Sequence, residues 1–242
     1  MIVAERDEEQ REHLMRFFKT GPGQYGEGDM FLGLKVPVTR AIVRKVHKRV
    51  ELEDLQQLLD SEWHEVRLCG LLILVEMMKA NLPKRSDDAE ELSRKKSCRE
   101  AIAKFYLANA RQANNWDLVD LSCQYILGPY LRLDKSGNFD LLMKLAESDN
   151  LWEQRISIVT TLDFIRNGIT EPTLILADKL IGHHHDLIHK AIGWTLREVG
   201  KKNESVLIGF LETHYMEMPR TALRYAIERL PEPTRQYWLH RK

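Results

Sequence analysis

The feature that most constrains this chain is a helical segment that recurs at a nearly fixed interval. EVRLCGLLIL at 65, LVDLSCQYIL at 118, EQRISIVTTL at 153, IHKAIGWTL at 188 and ALRYAIERL at 222 align, with Arg67, Asp120, Arg155, Lys190 and Arg224 as their third residues. Successive third residues are 53, 35, 35 and 34 positions apart. A period near 35 arises when helix pairs stack, each unable to bury its apolar face until a neighbour covers it. The expected fold is all-α: an α-solenoid, a curved stack of helical hairpins with a concave wall, built as a single domain over residues 1–242.

Local patterning agrees. Between Glu62 and Ala80, the residues Val66, Cys69, Ile73, Leu74 and Met77 fall on one helical face, as do Ile188, Ala191, Ile192, Thr195 and Val199 between Asp186 and Gly200. Pro37 opens a helix ending near Val50. Asn150 with Glu153 reads as an N-cap and its capping partner, and Gly168 closes one helix before Thr170 and Pro172 begin the next. The polar run from Asn81 to Ser97 breaks the rhythm, within the long first interval, and reads as a loop or insertion leading into the next helix.

Composition removes other classes. With 13 Gly and 8 Pro, the chain is poor in turn formers for a β-sandwich or barrel, and 43% hydrophobic content is too high for disorder. The longest apolar run, Leu71 to Val75, is far too short to span a bilayer. The acid-rich opening Met1 to Glu12 lacks the basic start and apolar middle of a secretory signal, so the expected location is cytoplasmic. Cys69, Cys98 and Cys123 are widely spaced without a CxxC pair, which points to reduced buried thiols rather than a disulfide scaffold or zinc ribbon. His183 to His185 point in different directions on a helix or turn. His64 and Glu65 resemble the start of a zinc-protease motif, but Leu68 stands where the second histidine belongs. No metal or cofactor is expected.

In a repeat stack, equivalent positions form a row along the groove. Arg67, Arg155, Lys190 and Arg224 would make that row a phosphate-tracking stripe inside a protein of zero formal net charge. Asp120 is the exception, either a catalytic carboxylate or the partner of Arg155. Trp116 lies one helical turn before Asp120, and Trp194 one turn after Lys190. These tryptophans either pin helix pairs together or offer ring faces to a cationic group. Trp63 and Trp152, which start equivalent helices, read as core residues.

The segments FLGLKVP (31–37), NWDLVD (115–120), SDNLWEQR (148–155) and HKAIGWTLRE (189–198) resemble the signature stretches of the AlkD family of DNA alkylation repair glycosylases, built from HEAT-like repeats. The resemblance runs in register from about residue 25 to 230 and implies a right-handed α-solenoid of HEAT-like helical repeats with a concave DNA-binding groove. It departs at Asn115, where the family often has a second tryptophan, and in GPGQYGEGD (21–29). It implies metal-independent excision of positively charged N3- or N7-alkylated purines in base excision repair, by a monomer acting on double-stranded DNA. It implies Trp116, Asp120, Arg155 and Trp194 as the catalytic set, with the sugar and backbone contacted while the base remains stacked. Two other readings share the fold: a non-catalytic module binding branched or distorted DNA, and a helical repeat whose groove takes a partner helix. The cationic row disfavours the last, because such grooves are apolar.

Overall fold

The computed structural model describes residues 2–241; among them the regular elements are all helices, and the one isolated bridge pairs Met30 with Trp63. The α-helices are, in order, α1 (Glu8–Phe17), α2 (Val36–Val46), α3 (Leu55–Leu59), α4 (His64–Ala80), α5 (Ala89–Ala108), α6 (Trp116–Asp120), α7 (Cys123–Asp134), α8 (Asp140–Ala146), α9 (Leu151–Arg166), α10 (Glu171–Leu180), α11 (Asp186–Lys202), α12 (Glu204–His214), α13 (Arg220–Ala226) and α14 (Glu232–His240). No helix among the described residues is long and apolar enough to cross a membrane. The chain forms two compact units, one running to Ile126 and the other from Leu127.

The second unit is a regular helical-repeat stack. Helices α9, α11 and α13 pack side by side as one layer, while α8 and α10 pack on each other and on α9, and α12 packs on α11. Ile156, Val159, Ile188, Ile192, Leu196 and Leu223 form its sealed core. The repeat register holds here: Arg155, Lys190 and Arg224 are each the fifth residue of their helix. Local signals act as the sequence suggests. The Asn150 side chain accepts hydrogen bonds from the Trp152 and Glu153 amides, and Gly168 ends α9 with a φ of +82°. The Asn150 amide donates to the Ser148 hydroxyl, which in turn donates to the Glu153 carboxylate.

The first unit is built around α4, against which α2, α3, α5 and α6 pack. Helix α4 is buried on every side from His64 to Val75, so its apolar residues are not confined to the single expected face, and Met78 rather than Met77 completes its core. The polar run also differs from expectation. Asp88 caps α5, whose first two turns occupy Ala89 to Ser97. Residues 81–88 are the expected loop leading into that helix, anchored where Lys95 is buried on Asp87 and Arg99 on the Asn81 carbonyl; the departure is that the second half of the run is already helix. Two of the five aligned segments are not single helices: the second breaks after Asp120, where α6 gives way to a turn before α7, and the last ends in a turn after Ala226.

Candidate functional site

Helix α6 is short and positioned from below. Asn115, fully buried, caps it by accepting the Trp116 amide, and the residue standing where the resemblance leads one to expect a second tryptophan thus serves as the N-cap. Ser122 donates to the Leu118 carbonyl and meets the hydroxyl of the buried Tyr106. Within α6, Leu118 and Val119 enter the core while Trp116 and Asp120 remain partly exposed.

Trp116 is held on one face. Phe18 stacks on it at 5.4 Å between ring centroids, Phe31 stacks on Phe18 at 5.1 Å, and the His64 imidazole stacks on Phe31 at 4.3 Å. Phe17 meets the indole edge-on at 6.0 Å and is itself 55% exposed. Beside this column opens a cleft of about 440 Å³ whose walls include Phe17, Phe18, Leu34, Pro37, Trp116, Asp120 and Leu121. Most of its lining is apolar, and Asp120 is among the residues that line it.

Under the cleft lies a buried ionic network that periodicity did not reveal. His64 Nδ1 is 2.8 Å from Asp29 Oδ2, and its Nε2 is 3.0 Å from Asp117 Oδ2. With a carboxylate facing each ring nitrogen, both nitrogens must donate, which requires the imidazolium. Burial alone would push the imidazole down, but Asp117 and Asp29 outweigh it and lift its pKa to about 9. Burial likewise opposes the charge on Asp29, yet His64 and Arg67 hold its carboxyl below the usual range. The next residue, Glu65, accepts the amides of Leu32, Gly33 and Leu34 at 2.8, 2.9 and 3.0 Å. It thereby satisfies an irregular buried strand of backbone that has no ladder partner. Gly33 is required there: its φ is +92°, and a Cβ would sit 1.9 Å from the Asp7 carbonyl. The pair that looked like a failed zinc motif is thus a structural clamp.

The expected site residues divide by environment. Arg67 does not present its guanidinium to a phosphate: it is buried, paired with Asp29, and donates to the Ser61 and Glu62 carbonyls and to Asn114. Arg155 is also buried and donates to the Leu187 carbonyl, tying α9 to α11. Lys190 pairs with Asp186 at 2.8 Å and is half-exposed; Arg224 is exposed. Trp194 is half-buried on α11. The structure therefore brings Trp116 and Asp120 together on α6, and places Arg155, Lys190, Trp194 and Arg224 on adjacent helices of the second unit. Trp152 is a core residue, but Trp63 is only half-buried, with the Arg6 guanidinium 5.8 Å above its ring. Cys69 and Cys123 are buried free thiols, Cys98 less so. The histidines at 183–185 are used locally: His183 meets Gln154, the His184 ring stacks on His183 at 4.7 Å rather than pointing away from it, and His185 caps α11.

The family model for DNA alkylation repair enzymes matches residues 2–230. The chain belongs to that family. Its place there makes DNA alkylation repair its role and DNA its partner. Among solved structures, the chain is similar to a "Predicted DNA alkylation repair enzyme from Enterococcus faecalis", with a TM-score of 0.68 and 16% identity over 94% of this chain and 97% of that one. At that identity the likeness speaks for the helical fold. No curated protein sequence matches the chain significantly.

Proposed function

We propose that this family member is a DNA glycosylase that releases purines carrying a positive charge from alkylation at N3 or N7. The observation that carries the reading is the pairing on α6 of a braced indole and a carboxylate at one apolar cleft. In such a purine the glycosidic bond is already weak. When it breaks, its electron pair goes to the base, which leaves neutral, and positive charge develops on the deoxyribose. A fixed anion and an aromatic face beside that sugar stabilise the transition state more than the ground state. Water then bonds to C1′ and gives up a proton, leaving an abasic sugar. Asp120 supplies the anion and orients the water, and Trp116 supplies the face. Low polarity in the cleft strengthens both effects. For Arg155 and Trp194 the assignment, a phosphate contact and a second ring face, rests on the resemblance alone.

Asp120→Asn keeps the shape and removes the charge. It is expected to slow release of 7-methylguanine from methylated duplex by about 10² to 10³, equivalent to ~3 to 4 kcal/mol, in single-turnover assays. DNA affinity should hold. If Asp120 serves only an ion pair, the substitution lowers thermal stability modestly and leaves excision unchanged. A wild-type protein that releases no alkylpurine above the spontaneous rate, yet prefers branched DNA to plain duplex, would replace this reading with the binding module.

A further inference from the structure

From Met30 to Val50 the chain contains no acidic residue, but it has Lys35, Arg40, Arg44, Lys45, Lys48 and Arg49. These lie on α2 and the 3-10 turn His47–Arg49 that extends it. Thr39, Ile42 and Val43 face inward, where α2 packs on α4. Arg44, Lys45, Lys48 and Arg49 are exposed and Arg40 partly so. The charged groups on the outer surface of this helix are therefore all cationic, with Pro37 and Val38 the apolar residues exposed beside them near its start.

That is unusual for this protein. Elsewhere its exposed helices neutralise cations within a turn, as in Arg94 with Glu91, Lys104 with Glu100, Lys201 with Glu198 and Arg235 with Glu232. Among the described residues, none of Arg40, Arg44, Lys45, Lys48 and Arg49 is in an ion pair. One or two cations in the last turn would suffice to complement the helix dipole. The remainder repel one another, at a cost that an external polyanion would remove.

We propose that the outer face of α2 and its 3-10 extension is a binding surface for the phosphate backbone of duplex DNA. From Arg40 to Arg49 the helical rise spans about 13 Å. Each DNA strand offers one phosphate per roughly 3.4 Å of axis, so the surface faces about four. The surface holds the duplex irrespective of sequence and contributes nothing to bond cleavage. The inference rests on DNA being the partner, and stands or falls separately from excision.

The test is the salt dependence of binding to undamaged duplex, followed by fluorescence anisotropy. The full chain is compared with the variant R44Q/K45Q/K48Q/R49Q and with a charge-matched control, K84Q/R85Q/K96Q/K104Q, altered at exposed positions on and before α5. Each phosphate contact contributes about 0.9 to the slope of log affinity against log salt, so the α2 variant should lose about 3 to 4 units of slope. The control should lose less than one. Thermal unfolding of both variants establishes that each is folded. Equal slope changes in the two variants overturn the proposal, as does an unchanged slope accompanied by lost binding to phosphatidylglycerol vesicles, which would make the face a membrane surface. Absence of excision in wild type would sink the glycosylase reading and leave the slope comparison intact.

Discussion

The two units solve the burial problem differently. In the second, helices of one layer meet through apolar side chains and small residues, so that the sealed contacts of α9, α11 and α13 repeat with the sequence interval. In the first, an extended segment from Met30 to Leu34 is packed against α4 without a regular hydrogen-bonding partner. Charged side chains at the start of α4 and in α6 close the account: Glu65 on three amides, His64 between two aspartates, and Arg67 on Asp29. A stack of regular helices satisfies its own backbone, whereas an irregular buried segment must import polar groups. The unit that imports them is the one that carries α6, so the same ions that satisfy the interior also fix Trp116 and Asp120 from below.

The sharpest way to break this contrast is to remove the central cation. His64→Gln leaves Asp117 facing a neutral amide and Asp29 with Arg67 alone, and should cost about 3 to 5 kcal/mol, as loss of one partner from a buried pair does. The pH dependence has a definite sign. The His64 pKa is raised in the folded state from 6.5 to about 9. Its contribution is therefore complete below pH 6.5, declines as pH rises, and is gone once pH passes about 9. At about 1.4 kcal/mol per unit, the loss is of order 3 kcal/mol. Denaturant unfolding of wild type at pH 6.5 and 9.5 should show that fall, and the variant should not. A wild type and variant with parallel pH profiles would mean that the imidazole is neutral and the network is not ionic.

A substitution in the second unit probes the opposite principle. Gly193 sits where α11 meets α13, and a Cβ there would lie 2.4 Å from Tyr225 Cβ and 2.5 Å from the Ala222 carbonyl oxygen. A backbone oxygen cannot rotate away, so Gly193→Ala must part the two helices. The expected cost is about 2 to 3 kcal/mol, equal at pH 6.5 and 9.5, since the clash is steric, with a Cβ and a backbone oxygen. Stability equal to wild type would show that the layer spacing is not set by this approach.

What could be read in the sequence follows the same division. The 35- and 34-residue intervals located Arg155, Lys190 and Arg224 at the same position of three neighbouring helices, because a regular stack writes its geometry into apolar spacing. Trp116 and Asp120 were legible as residues one turn apart. Periodicity is silent about polar groups placed inside, and Arg67 accordingly looked like a member of the surface row although its guanidinium is buried. Asp29 and Asp117 carried no signal at all. The available clue was the pair His64 and Glu65 at the start of a long apolar helix, where two ionisable residues can be accommodated only if each has partners. Phe17 and Phe18 were also passed over, since two adjacent aromatic residues at a helix end have no fixed partner until the fold brings Trp116 against them.

The smallest expected effect sharpens the contrast by moving in the stabilising direction. Gly209 is exposed in the middle of α12, and a Cβ there would meet nothing within 4 Å. It therefore does nothing that requires a glycine, unlike Gly193 one layer of helices away in the same unit. Its backbone freedom is lost on folding without compensation, and alanine has less to lose. Gly209→Ala should raise stability by about 0.5 to 1 kcal/mol, or a few degrees in Tm. The Thr213 hydroxyl, which donates to the residue 209 carbonyl, would keep its bond because the carbonyl is unchanged. The gain should be additive with the loss from Gly193→Ala if the two positions share no neighbours, and a double variant measured by denaturant unfolding checks this. A net loss from Gly209→Ala would show that α12 needs local flexibility, and that regular helix packing is not the whole source of order in the second unit.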